Sequence, residues 1–196
     1  MRGVLVLATM SRNLFWKLLE PEHPKAERFC RKLTGDTDEG NDLYQEAVLI
    51  ALTKIETLKE HGYFRSWLYR IIINRYKNRF RSVWWRRHTE LTDEIQKTAK
   101  GEDPTNRIAA RRWIEIGFTA LKPDERVMIT LYEMEDWSVG ELAELLGKPD
   151  GTIKAKLSRG RKKMRKAIEK YLKLTETSKS KREAGYAFSQ TKAQAD

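Results

Sequence analysis

Between Asp150 and Leu172 the chain reads DGTIKAKLSRGRKKMRKAIEKYL, with nine Lys or Arg and a single Glu. Ile153, Leu157, Met164 and Ile168 recur through it at helical spacing, so the stretch predicts a helix with a thin apolar stripe. With that stripe turned inward, Lys154, Ser158, Arg161 and Arg165 line the opposite face, flanked by Lys156, Arg159 and Lys162. Guanidinium and ammonium groups pair with guanine edges and neutralise phosphates, so the chemistry on offer is the binding of a polyanion. Thr152, Lys154, Lys156, Ser158, Arg159, Arg161 and Lys162 are the candidate DNA contacts.

The residues before this helix say how it is held. Ser138 and Glu141 fit a capping box, and Leu142, Leu145 and Leu146 form the buried face of a short helix. Gly147 is placed to end that helix in a left-handed conformation, Pro149 blocks its continuation, and Asp150 is placed to cap the next one. A short helix, a tight turn and a second helix make a helix-turn-helix, whose second helix enters the DNA major groove. Two other uses compete. A solvated basic face is what most charge runs are, but this one sits on the second member of a punctuated pair. A membrane-surface helix would carry Trp or Phe on its apolar face.

A second set of polar groups lies upstream. Asn74, Lys77, Asn78 and Arg81 are spaced i, i+3, i+4, i+7, and Arg70 extends the same face one turn earlier. An amide pairs with a base edge, whereas the flanking bases neutralise phosphate without distinguishing sequences. Residues 74 to 87 hold six bases and no acid, which suits a path along a separated strand.

Enzymatic chemistry finds little support. His23, His61 and His88 are scattered, no glycine-rich phosphate loop is present, and the acids lack metal-ligand spacing, so neither a catalytic site nor a cofactor is expected. Cys30 is alone, which excludes an internal disulfide and fits a reducing cytosol. The 196 residues carry a formal net charge of +11, a surplus that calls for an anionic partner. No apolar run approaches the roughly 20 residues needed to cross a bilayer, which predicts a soluble chain without membrane insertion.

The elements that must position these groups are helices. Val48, Leu49, Ala51, Leu52 and Ile55 follow Leu43 as one apolar stripe, and Phe64, Trp67, Leu68, Ile71 and Ile72 form another. LKEHGYF between them breaks the period as a loop, and PEHP and TGDTDEGN, ending at Asn41, break the chain earlier. Trp67 reads as core. From His88 the sequence turns acidic and loses its apolar period. The organisation is an extension over residues 1–12, a helical domain over 13–82, a flexible linker over 83–107, a second helical domain over 108–172 and a disordered polar tail over 173–196. The class is all-α, two small helical domains on a tether. Translation starts at Met1 or at Met10.

The segment DLYQEAVLIALTKIETLKEHGYFRSWLYRIIINRYKNRFR, residues 42 to 81, resembles region 2 of the sigma-70 family of bacterial transcription initiation factors. LKPDERVMITLYEMEDWSVGELAELLGKPDGTIKAKLSRGRKKM resembles region 4 of the same family. The two in order, with a short linker and no further domains, are similar to the extracytoplasmic-function (ECF) class. The resemblance implies σ2 and σ4 helical domains and a protein that binds core RNA polymerase, recognises the −35 and −10 promoter elements, assists melting and directs initiation in the bacterial cytoplasm. It implies that Asp42, Gln45 and Glu46 dock on the β′ clamp helices, with Leu49, Leu52 and Ile55 packing inward, and that region 4 meets the β flap. It implies that the loop Leu58 to Phe64, with His61, and the face of Arg70, Asn74, Lys77, Asn78 and Arg81 hold the melted −10 element, Asn74 matching the family residue that touches an extruded base. The recognition helix reads the double-stranded −35 element, and an anti-sigma factor or other regulator is an expected partner. Ala47 and Val48 stand where the family often has a Phe. The alternative is a stand-alone helix-turn-helix regulator that works without polymerase.

Overall fold

The computed structural model describes residues 12–87 and 106–193, with side chains described over 12–79 and 112–175. Helices follow one another as α1 (12–19), α2 (His23–Thr34), α3 (Thr37–Lys54), α4 (Phe64–Arg87), α5 (Asn106–Thr119), α6 (Pro123–Met134), α7 (Val139–Leu146) and α8 (Asp150–Ala193). Two single 3-10 turns, Ile55–Thr57 and His61–Tyr63, make up most of the connection between α3 and α4 where a loop is expected. Among the described residues there is no strand, as the all-α class requires. Helix α8 continues through the segment expected to be a disordered tail. The expected linker lies largely outside the described residues, and α4 and α5 extend into its two ends.

Packing divides the chain differently from the sequence-based boundaries. One compact unit comprises Met1–His88 and Lys122–Gly160, the other Thr89–Leu121 and Arg161–Asp196. Helices α6, α7 and the first turns of α8 therefore join α1 to α4 rather than forming a separate body with α5. Composition marks where a chain changes character; it does not say which finished surfaces meet.

In the first unit, Phe15, Phe29, Leu33, Leu43, Leu68, Tyr69 and Ile72 are buried together with Val127, Met128, Leu131, Leu142 and Ile153. Helix α4 buries more than its predicted stripe. Phe64, Leu68 and Ile72 are buried as expected, but Tyr69, Ile73 and Tyr76 are buried as well, while Trp67 is only half-buried against Phe64. The reason is that α4 packs against α3 and also against α6 and α7. Tyr69 shows both contacts at once, stacking on Phe29 with ring centroids 5.1 Å apart and meeting Trp137 at 5.0 Å.

Helix α3 begins earlier than the polar stretch before Asn41 suggests. Asp36 caps it, its carboxylate accepting from the backbone N–H of Asp38 at 2.8 Å and of Glu39 at 2.9 Å. Gly40 allows α2 and α3 to cross closely: a Cβ there would lie 2.5 Å from the Arg31 Cα. The glycine that looks like a helix breaker is a packing contact inside the helix.

The second unit holds α5 and the later part of α8. Tyr171 meets Trp113 edge-on at 6.0 Å and hydrogen bonds with Arg112, and Met164 fills the space that a Cβ on Gly117 would need.

Candidate nucleic-acid and polymerase interfaces

The helix-turn-helix forms as its punctuation requires. Ser138 Oγ accepts from the Glu141 N–H at 3.2 Å, and the Ser138 N–H donates to Glu141 Oε2 at 2.7 Å, closing the capping box. These bonds hold the Glu141 carboxyl below its ordinary range. Leu142 and Leu145 are buried and Leu146 half-buried. Gly147 takes φ 60°, the left-handed conformation that ends α7. Asp150 is the first residue of α8 rather than its cap; the Pro149 carbonyl accepts from Thr152 and Ile153 instead. An acid in the first turn still complements the positive end of the helix dipole.

Ile153 and Leu157 face inward, so Lys154, Ser158 and Arg159 are exposed. Thr152 and Lys156 are half-buried at the edges of that face, and Arg161 and Lys162 follow on the helix, both exposed. Arg159 Nε donates to the Ala155 carbonyl at 3.2 Å, which lays the guanidinium along the helix. The first three turns of α8 thus expose a hydroxyl, an ammonium and a guanidinium, the groups that reach base edges and phosphates in a major groove.

On α4, Asn74 and Asn78 are exposed and adjacent on one face. Arg70 and Lys77 share that face but are engaged: Arg70 Nη2 donates to the Leu145 carbonyl at 3.3 Å and lies at 3.5 Å from that of Glu144, and Lys77 Nζ lies 2.6 Å from Asp124. His61 is exposed in its 3-10 turn. Arg81 lies on α4, its side chain outside the described residues. Tyr63, 53% exposed in the same turn as His61, is a further candidate for stacking on a base. An aromatic in a Gly-containing loop was the signal available for it.

On α3 the three acid and amide residues separate into two roles. Asp42 and Gln45 are exposed and free to meet a partner surface. Glu46 is tied down: Arg75 Nε donates to Oε2 at 2.5 Å, and Arg79 donates to Oε1 at 2.5 Å and to Oε2 at 3.2 Å. Hydrogen bonds from the two guanidinium groups outweigh partial burial and bring its carboxyl down to about 2. Glu46 therefore braces α3 against α4. Leu49, expected to pack inward, is 64% exposed, one turn beyond Gln45 and two beyond Asp42 on the same face, while Ala47 takes the buried position and Ile55 is buried. A small Ala in the core lets the larger Leu stay outside, and the outward face becomes amphiphilic.

The sequence matches Sigma-70 region 2 over residues 18–86 and Sigma-70, region 4 over residues 118–164. Similar proteins include the ECF RNA polymerase sigma factor SigW of Bacillus subtilis, 27% identical over 168 residues, covering 80% of this chain and 90% of that one. EcfG of Rhodopseudomonas palustris is 28% identical over 144 residues, covering 72% and 77%. In structure the chain is similar to the sigma factor RpoE in its complex with the anti-sigma factor NepR from Bartonella quintana, with a TM-score of 0.56, 23% identity and 79% and 96% coverage. CnrH in complex with the cytosolic domain of CnrY gives a TM-score of 0.57 at 17% identity, covering 84% and 96%. The chain belongs to the sigma-70 family, in its ECF class. The region 2 match accounts for α2, α3 and α4, which a stand-alone helix-turn-helix regulator has no need of.

Proposed function

We propose that the chain is an ECF sigma factor whose α3 docks on core RNA polymerase, whose α4 and preceding turns take the melted −10 element, and whose α8 reads the −35 element as duplex. Asp42, Gln45 and Leu49 form the polymerase-facing surface, with Glu46 behind it as the brace that sets α3 on α4. Asn74, with its amide at the exposed centre of the α4 face, distinguishes bases, while Arg70, Lys77, Asn78 and Arg81 steer the strand. Nucleotide addition belongs to the polymerase, and this chain contributes binding energy that favours the opened promoter. It works where the polymerase is, in the bacterial cytoplasm, and an anti-sigma partner fits the company of RpoE with NepR and of CnrH with CnrY.

The observation that carries this reading is the order of two matched helical modules, the first exposing amides on a basic helix and the second a capped helix-turn-helix. Run-off transcription with purified core polymerase and a genomic promoter library tests it. Specific transcripts that need both chain and core polymerase support it. Tight operator binding by the chain alone, with no transcript on adding polymerase, overturns it.

A further inference from the structure

Helix α1 turns its largest side chain to solvent. Phe15 and Leu19 are buried and hold the helix on the body of the first unit, whereas Trp16 is 48% exposed. Arg12 and Asn13, four and three residues earlier, share that outward face and are exposed, and Lys17 is exposed beside it. A cation, an amide and an indole therefore stand together. Their place in the fold is set by a row of rings: Trp16 meets Phe15 edge-on with centroids 5.2 Å apart, Phe15 meets Phe64 at 5.8 Å, and Phe64 tilts over the half-buried Trp67 at 5.8 Å. Phe64 opens α4 and directly follows the exposed Tyr63. Two ring contacts thus join the indole to the turn that carries His61 and Tyr63. The Sigma-70 region 2 match begins at residue 18, so Arg12, Asn13 and Trp16 lie ahead of it.

We propose that the outward face of α1 is a second stacking surface for the separated promoter strand, on which Trp16 takes one unpaired base next to those held by the His61–Tyr63 turn and α4. The proposal rests on the reading of the preceding subsection. Surfaces that bind single strands combine an aromatic face, on which any base stacks, with cations that follow the phosphates, and α1 offers both. Its position continues the surface already assigned to the strand, because the ring contacts tie α1 to the start of α4, while Asp42, Gln45 and Leu49 of the polymerase-facing surface lie on α3. Charge gives the path a direction. Arg12 and Lys17 attract phosphates, whereas Glu20, exposed one turn beyond Trp16, repels them and confines the strand to the Arg12 end of the face. The support is also rigid: Phe15 is fully buried beneath the indole, so little freedom is lost when a base settles on it.

The test uses holoenzyme and a promoter recovered by run-off selection, its −10 region held open by mismatches. Trp16→Ala should bind core polymerase as the wild type does and the opened promoter at least about fivefold more weakly, the loss of one base stack. Trp16→Phe, which keeps an aromatic face, should restore most of that affinity. Single abasic nucleotides walked along the non-template strand should abolish the difference between wild type and Trp16→Ala at one position, outside the bases that Asn74 discriminates. Arg12→Gln should lower the salt slope by about 0.7 unit, one phosphate on a single strand. Unchanged affinity of Trp16→Ala for the opened promoter overturns the proposal. So does a loss that persists at every abasic position, which makes the indole a structural residue, or an equal loss of core polymerase affinity, which makes it a polymerase contact. Specific wild-type transcripts beside any of these three results sink only the α1 surface, whereas no transcript at all sinks the sigma-factor reading on which it rests.

Discussion

Lys77 Nζ lies 2.6 Å from the Asp124 carboxylate, joining the helix that carries Asn74 to the first turn of α6. Burial alone would raise the Asp124 pKa. The hydrogen bond and charge of Lys77, helped by Lys156 and Lys148, outweigh it and bring the group below its ordinary value. One carboxylate thus answers to a candidate −10 contact, Lys77, and a candidate −35 contact, Lys156. Both members are partly exposed, so the pair by itself is a weak fastening. Lys77→Gln should lower unfolding stability by no more than about 1 kcal/mol in urea titration, and a larger loss would show that the pair is a structural keystone.

Leu49 separates docking from stability. An exposed apolar residue on the Asp42 and Gln45 face contributes little to folding, so Leu49→Ala should change unfolding stability by less than about 0.5 kcal/mol. If α3 meets polymerase there, the same variant should bind core polymerase several-fold more weakly in a fluorescence titration. Normal polymerase affinity would remove Leu49 from the interface.

Asn74→Ala tests the division of labour between α3 and α4. Holoenzyme should form normally, since Asn74 is not on α3, the helix proposed to meet polymerase, and discrimination among −10 sequences should fall. Competition between promoter variants in run-off transcription reads the second effect. Failure to assemble would show that the α4 face is a polymerase surface.

On α8, Lys154→Ala and Arg159→Ala should each flatten preference within the −35 element, costing about 1 to 3 kcal/mol at one base pair. Arg165→Ala, two turns further on, should leave the preference intact and lower the salt slope by about one unit if it meets a phosphate. Holoenzyme binding to a −35 library at several salt concentrations distinguishes these outcomes. Equal, sequence-independent losses for all three would make the helix an electrostatic anchor.

Glu46 should give the fold an acid-sensitive brace. Its folded pKa, about 2, lies below the ordinary value of 4.5, so its stabilisation is fully present above pH 4.5 and is lost as pH falls towards 2. Glu46→Gln should therefore be less stable than wild type at pH 7, with the difference shrinking as the pH is lowered through that window. Urea unfolding of both proteins at pH 7 and pH 3 checks the sign. A difference that stays constant across the window would show that the brace is not ionic.

Local chemistry was legible from the chain itself. Ser138, Glu141, Gly147 and the Ile153 and Leu157 stripe specify a helix-turn-helix because capping, left-handed termination and 3.6-residue periodicity act within a few residues. The exposed positions of Lys154, Ser158, Arg159, Asn74 and Asn78 follow from the same periodicity. Other assignments depended on what each helix meets. Gly40 looked like part of a break until Arg31 came within reach of it, and Leu49 looked buried until Ala47 took the inner position. Glu46 is a brace only because Arg75 and Arg79 arrive from another helix. Arg70 and Lys77 sit on the predicted face, yet what they bind is set by α6 and α7, more than 40 residues away. Helix periodicity says which side of a helix a residue is on; which surface covers that side is decided by contacts distant in the chain, and only the tertiary structure contains them.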